Sequence, residues 1–167
     1  MPSYSIIENF EVHKNNRFLE IAESLKPELR HKEIKAAKEI MVGKERQMRT
    51  VITEEYPIEN LYAKSLKRDD TVFVDFGDHA VGYVTLELSK TGSHQDAPVY
   101  FYLKFGERLE EMTDKTADYD GWLIRGWIQE EYIHVDVLPA KVKLPRRYSF
   151  RYMELRVIDT SAKFQLK

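Results

Sequence analysis

The chain has 167 residues and a mass of 19.8 kDa, which allows one core of ordinary size and leaves too little for a large catalytic barrel. Its residues are 43% hydrophobic and 32% charged, with only 7 Gly and 6 Pro, which excludes a disordered or low-complexity chain. Lys plus Arg (26) nearly balances Asp plus Glu (28), so a net charge of -2 creates no global attraction to nucleic acid or an anionic membrane, and the complete lack of Cys excludes disulfides, thiolate metal sites and a Cys nucleophile.

The opening residues, MPSYSIIENF, lack a basic leader followed by an apolar run, and no window approaches the length of a membrane span. Together with the missing cysteines, this makes the cytoplasm the expected location. Phe18, Ile21, Ala22 and Leu25 then follow the spacing of an amphipathic helix that Pro27 interrupts. A second helix is expected in ELRHKEIKAAKEIM, where Ile34, Ala37 and Met41 share a helical face and Gly43 stands near the stop. Residues 50–66 are ambiguous, with Pro57 marking a bend.

From Thr71 the apolar period becomes two. Val72, Val74 and Phe76 share one face and, beyond the Gly77-Asp78 turn signal, Val84, Leu86 and Leu88 share another, which predicts two neighbouring strands. KTGSHQDAP reads as a loop, and VYFYLKF sets Val99, Phe101, Leu103 and Phe105 against Tyr100, Tyr102 and Lys104. Ile133, Val135 and Val137 alternate likewise, as do Met153, Leu155 and Val157. Of the 20 aromatics, 15 lie in residues 71–167, which separates an aromatic strand-rich part from a charged helical one. The expected fold is therefore mainly β: an antiparallel sandwich over residues 67–167, preceded by a helical segment over 1–66.

Signatures of catalysis are sparse, with no HExxH, P-loop, GxSxG or GxGxxG in the sequence. Thr116, Asp118 and Asp120 before Gly121 have the alternation of a calcium loop, but Trp127 stands where the bidentate acid belongs, so an acidic turn is the better reading. Of His13, His31, His79, His94 and His134, only His134 has a close acidic neighbour on its strand face, Asp136, and two ligands do not hold zinc. No metal or cofactor is expected. Glu107, Glu110, Glu111, Glu130 and Glu131 are nominally available for acid and base work on a glycoside, but nothing in the sequence places two across a cleft.

Charge is uneven along the strand-rich part. Residues 107–136 hold nine acidic and three basic side chains, whereas 141–156 hold six basic and one acidic. KVKLPRRYSFRY, with Arg146, Arg147 and Arg151 among aromatics, has the composition of a single-strand nucleic-acid platform. A strand whose charges meet the preceding acidic segment explains the same residues and is preferred, so no nucleic-acid partner is expected. Tyr119, Trp122 and Trp127 in the loop DYDGWLIRGWIQEE are the candidate carbohydrate-binding residues, because flat aromatic faces stack on sugar rings. The competing reading puts one or both tryptophans in the sandwich core, the commoner fate of large aromatics near strands.

The stretches VDFGDHAVGYVTLEL, DAPVYFYLKFGERLEEM and YDGWLIRGWIQEEYIHVDVLPAKVKLPRRYSFRYMELRVIDTS together resemble the N-terminal β-sandwich of bacterial α-L-rhamnosidase-like glycoside hydrolases. Asp75-Phe76-Gly77, Val81-Gly82-Tyr83, Phe105-Gly106-Glu107 and Arg151-Tyr152 fall in the family's order across residues 67–162. The resemblance implies a jelly-roll-like, galactose-binding-like sandwich that precedes a catalytic α/α barrel. It also implies that the family's acid and base lie on that barrel, so no catalytic residue carries over to this chain. The expectation is a non-catalytic accessory domain, partnered by the catalytic domain of a parent enzyme and touching carbohydrate. The alternative is a stand-alone protein-interaction module, such as a homodimer, with no carbohydrate role.

Overall fold

The computed structural model describes residues 14–28, 30–45, 49–122 and 124–167; the opening decapeptide and His13 lie outside them. The chain divides into a unit up to Glu33 and a second from Ile34 to Lys167. In the first, α1 (Asn16–Ser24) begins where the Asn15 side chain accepts the Arg17 N–H at 3.0 Å, satisfying one orphan donor of the first turn. The helix expected before Pro27 is thus present, and none of its residues is buried.

The second unit contains β1 (Lys38–Lys44), β2 (Thr50–Pro57), α2 (Ile58–Ala63), β3 (Thr71–Leu88), β4 (Lys90–Gly92), β5 (Val99–Gly106), β6 (Glu130–Val135), β7 (Ala140–Asp159) and β8 (Phe164–Leu166). Six strands form a sheet in the order β2-β1-β3-β7-β5-β6, and β4 pairs with β8. Every registered pair is antiparallel. The fold is the expected antiparallel β-sandwich.

Two expectations need correction. Among the described residues of 28–41 the second helix is absent: residues 38–44 are β1, which pairs with β2 on one side and with Phe73–Asp75 of β3 on the other. Ladder bonds on both flanks, and burial of Ile40 at 1% exposure, outweigh the modest helix preference of the Lys- and Glu-rich run. β1 and β2 thus lie in the unit from Ile34 to Lys167 and in the same sheet as β3. Second, Gly77-Asp78 does not join two neighbouring strands. Residues 71–88 form one strand, and both of its halves pair with β7.

That long pairing shapes the domain. The ladder loses register between Asp75 and Ala80 and again between Tyr83 and Thr85, and such irregularities bend a strand pair. Both halves of the strand pair contribute to one core. Val72, Val74, Met153 and Leu155 from one half, and Val84, Leu88 and Leu144 from the other, close on Val99, Phe101 and Leu103 of β5 in a single core. Phe76, Phe105, Tyr148 and Phe150 form its aromatic centre, with Phe76 edge-on to Phe150 at 4.9 Å and Phe105 at 4.3 Å from Tyr148. A smaller cluster of Ile40, Met112 and Tyr152 lies apart from this core.

The Asp75-Phe76-Gly77 motif now has a physical account. Asp75, 4% exposed, takes two bonds of 2.9 Å from Arg151 Nε and Nη2, and its Oδ1 also accepts the Gly77 N–H at 2.7 Å. Gly77 has φ of +86°, a conformation open to glycine at little cost. The three residues make the bend and lock it to β7.

Candidate functional site

The candidate site lies on the long connection from β5 to β6, residues 107–129. Gly106 ends β5 tightly: a Cβ there would meet Met112 Cε at 2.6 Å, so the 3-10 turn Leu109–Met112 can fold back against the strand. Glu111 fixes that turn by accepting the Arg108 N–H at 2.8 Å. Two further 3-10 turns, Thr116–Asp118 and Arg125–Trp127, carry the chain over the outer face of β5. Lys104 Nζ donates to the Asp114 carbonyl at 2.5 Å, and Tyr102 and Thr116 both donate to Glu130 Oε1. These contacts bury Lys104 and Tyr102 although alternation points them away from the core.

Both tryptophans are solvent-exposed, Trp122 at 92% and Trp127 at 69%, so the core reading of these residues is wrong. The core is already filled by Phe101, Phe105, Tyr148 and Phe150, and the loop stands outside it. Trp127, Ile124 and the half-buried Tyr119 line a groove of about 240 Å³ together with Lys104, Glu111 and Gln129. Trp122 is not part of its lining. The structure thus brings Tyr119 and Trp127 together and sets Trp122 apart. Gln129 anchors the far end of the loop, its amide donating to the Ser149 carbonyl at 2.7 Å and accepting the Ser149 N–H at 2.6 Å, as a neighbouring strand would.

Carboxylates around the groove are held by structural partners. Glu131 accepts from Arg146 Nε at 2.9 Å and from the Tyr148 hydroxyl at 2.7 Å, so the acidic and basic segments do meet there. Arg151 instead pairs with Asp75 of β3. Burial pushes the Glu154 carboxyl above its ordinary value, against the pull of Arg156 and Lys104, and the Glu130 charge adds to the rise. Glu154 and Glu130 flank Lys104 in register, one on each side. A glycosidase needs a sugar and, in some cases, a water between its two carboxyl groups. Here the buried Lys104 occupies that position.

His79, Ser149 and Glu107 also converge at the surface, a grouping the sequence reading missed because the three come from separate segments. His79 Nε2 lies 2.9 Å from Ser149 Oγ, which donates to Glu107 Oε1 at 2.5 Å. Glu107 faces the same ring nitrogen at 3.4 Å. A hydrolytic triad needs the acid on the other nitrogen, where it orients the ring toward the serine. His134 is exposed on β6 and stacks on Tyr100. No group of three His, Cys, Asp or Glu among the described residues could hold a metal ion, and no described helix is long and apolar enough to cross a membrane.

The profile of the N-terminal domain of glycosyl hydrolase family 78 α-rhamnosidases matches residues 38–167. Among solved structures, a rhamnosidase from Klebsiella oxytoca with rhamnose bound is 34% identical, with a TM-score of 0.80 over 93% of this chain. The match spans 31% of that rhamnosidase's own chain. Comparison with curated protein sequences gives no match. The family match starts at Lys38, the first residue of β1, in agreement with a sandwich that includes β1 and β2. With a profile match over residues 38–167 and a solved rhamnosidase 34% identical over 93% of this chain, the chain belongs to the family of glycosyl hydrolase family 78 α-rhamnosidase N-terminal domains.

Proposed function

We propose that this domain is a non-catalytic accessory part of an α-L-rhamnosidase-type glycoside hydrolase, packing against a separate catalytic barrel and contacting carbohydrate at the groove of Tyr119 and Trp127. The observation that carries the reading is the pairing of an exposed indole and a phenol along one groove, beside Glu130 and Glu131 carboxylates engaged by Tyr102, Thr116, Arg146 and Tyr148. Aromatic faces of this kind suit the apolar side of a sugar ring, and Lys104, Glu111 and Gln129 lie within the same lining to meet hydroxyls. Val81 and Tyr83, 61% and 74% exposed on one side of β3, are suited to packing against the barrel.

Two measurements test this. The purified chain should not hydrolyse an aryl α-L-rhamnoside; turnover abolished by one carboxylate substitution would overturn the non-catalytic half. Rhamnosides or rhamnose-containing glycans should perturb intrinsic Trp fluorescence, and Trp127→Ala should remove the response. Unchanged fluorescence, with no heat of binding across these ligands, would overturn the carbohydrate half.

A further inference from the structure

The outer face of β6, β5 and β7 is covered unevenly. At its Gly106 end the 107–129 connection buries Lys104 and Tyr102. At its other end no described residue comparably covers the row formed by His134, Tyr100 and Asp159, which are in register across the three strands. Tyr100 and His134 stack face to face at 3.9 Å with 3° between their planes. Arg68, from the turn before β3, reaches across to pair with Asp159. These four, with Thr160 and Ser161, line a hollow of about 450 Å³. It lies roughly 13 Å along β5 from the tryptophan groove, counting the four residues from Tyr100 to Lys104 at strand rise.

The chemistry of the hollow is specific. One wall is a rigid aromatic stack, and the other is an ion pair with no net charge whose members remain 60% and 56% exposed. Arg68 has further N–H donors and Asp159 further lone pairs, so the wall offers donors and acceptors side by side. Thr160 is 8% exposed, and its hydroxyl has no hydrogen-bond partner among the described residues. A charged ligand would have to compete with one member of the Arg68–Asp159 pair. A neutral molecule with one apolar face and adjacent hydroxyls satisfies both walls at once, and the volume falls within the range of small-molecule sites.

We propose that this hollow is a second binding site, taking a single neutral pyranoside ring stacked on the Tyr100–His134 pair with its hydroxyls on Arg68 and Asp159. It is independent of the Tyr119–Trp127 groove.

The test is an NMR titration of the isotope-labelled 167-residue chain with methyl α-L-rhamnopyranoside and, separately, methyl β-D-glucopyranoside, up to about 50 mM, a range suited to weak binding. At least one sugar should give saturable shifts of the His134 and Tyr100 ring signals. Tyr100→Ala should weaken binding about tenfold, the scale of one lost aromatic contact. Arg68→Ala, which removes a side chain 60% exposed, should also weaken it while leaving the fold intact. Trp127→Ala should leave it unchanged. Absence of saturable shifts with both sugars, shifts that survive Tyr100→Ala and Arg68→Ala, or tighter binding of inorganic phosphate would each overturn the proposal. Loss of the Trp fluorescence response with His134 shifts intact would count against the tryptophan groove alone, and the reverse against this hollow alone.

Discussion

Removing the charge of Asp75 should destabilise the sandwich in a pH-dependent way. Asp75 is 4% exposed and receives two Arg151 bonds of 2.9 Å and one Gly77 bond of 2.7 Å. Breaking a fully buried pair costs about 3–5 kcal/mol, but Arg151 is 39% exposed, and water recovers part of the loss. Asp75→Asn keeps the shape and one acceptor, so its cost should be about 2 kcal/mol, and that of Asp75→Ala about 3 kcal/mol. For a domain of this size the latter corresponds to a fall in Tm of roughly 6–12 °C. Burial raises the Asp75 carboxyl, but the Arg151 bonds, the Gly77 N–H and the Arg151 and Lys38 charges outweigh it and hold the group below its ordinary 3.8. A depressed carboxylate stabilises the fold above its unfolded pKa, and the contribution disappears as pH falls through the folded value. Urea denaturation of the chain and of Asp75→Asn should therefore show the full gap at neutral pH and a shrinking gap below about pH 4. A neutral-pH gap under about 0.5 kcal/mol, or one of equal size at pH 3, would refute the reasoning.

Gly77→Ala should cost about 1–2 kcal/mol, because φ of +86° strains any residue with a Cβ; wild-type stability by urea denaturation would remove the conformational reading of the bend. The Tyr148 phenol, pushed up to about 12 by burial and by its bond to Glu131, should titrate well above its ordinary 10 by NMR of the ring carbon. Its stabilising contribution should hold below pH 10 and fade as pH rises through about 12, and Glu131→Gln should bring the titration down; a native titration at 10 would contradict this. Trp122→Ala and Trp127→Ala should each change stability by less than about 0.5 kcal/mol, since both side chains stand in solvent; a larger loss by thermal denaturation would mean that the loop depends on them for packing.

Much of the strand-rich part was legible because its signal is local. Alternation over Val99–Phe105 and Met153–Val157 requires only that one face be buried, and both segments are strands. The charged run before Gly43 misled for the opposite reason. Its Lys and Glu positions fit a helix as well as an edge-near strand, and β1 is a strand because two neighbours pair with it. Gly77-Asp78 carries an ordinary turn signal, yet the chain continues past it because β7 is long enough to pair with both flanking halves.

The candidate site residues divide along the same line. Tyr119 and Trp127 were identifiable by type and proximity in the chain, whereas their exposure, and the separation of Trp122 from their groove, depend on which aromatics fill the core first. Tyr100, His134, Arg68 and Asp159 come from four segments, and no local pattern joins them. Composition and period alone determined that this chain is a charged, cysteine-free β domain. Tertiary structure decided which strands pair, which carboxylates are neutralised and which aromatics face solvent, because each of these depends on partners distant in sequence.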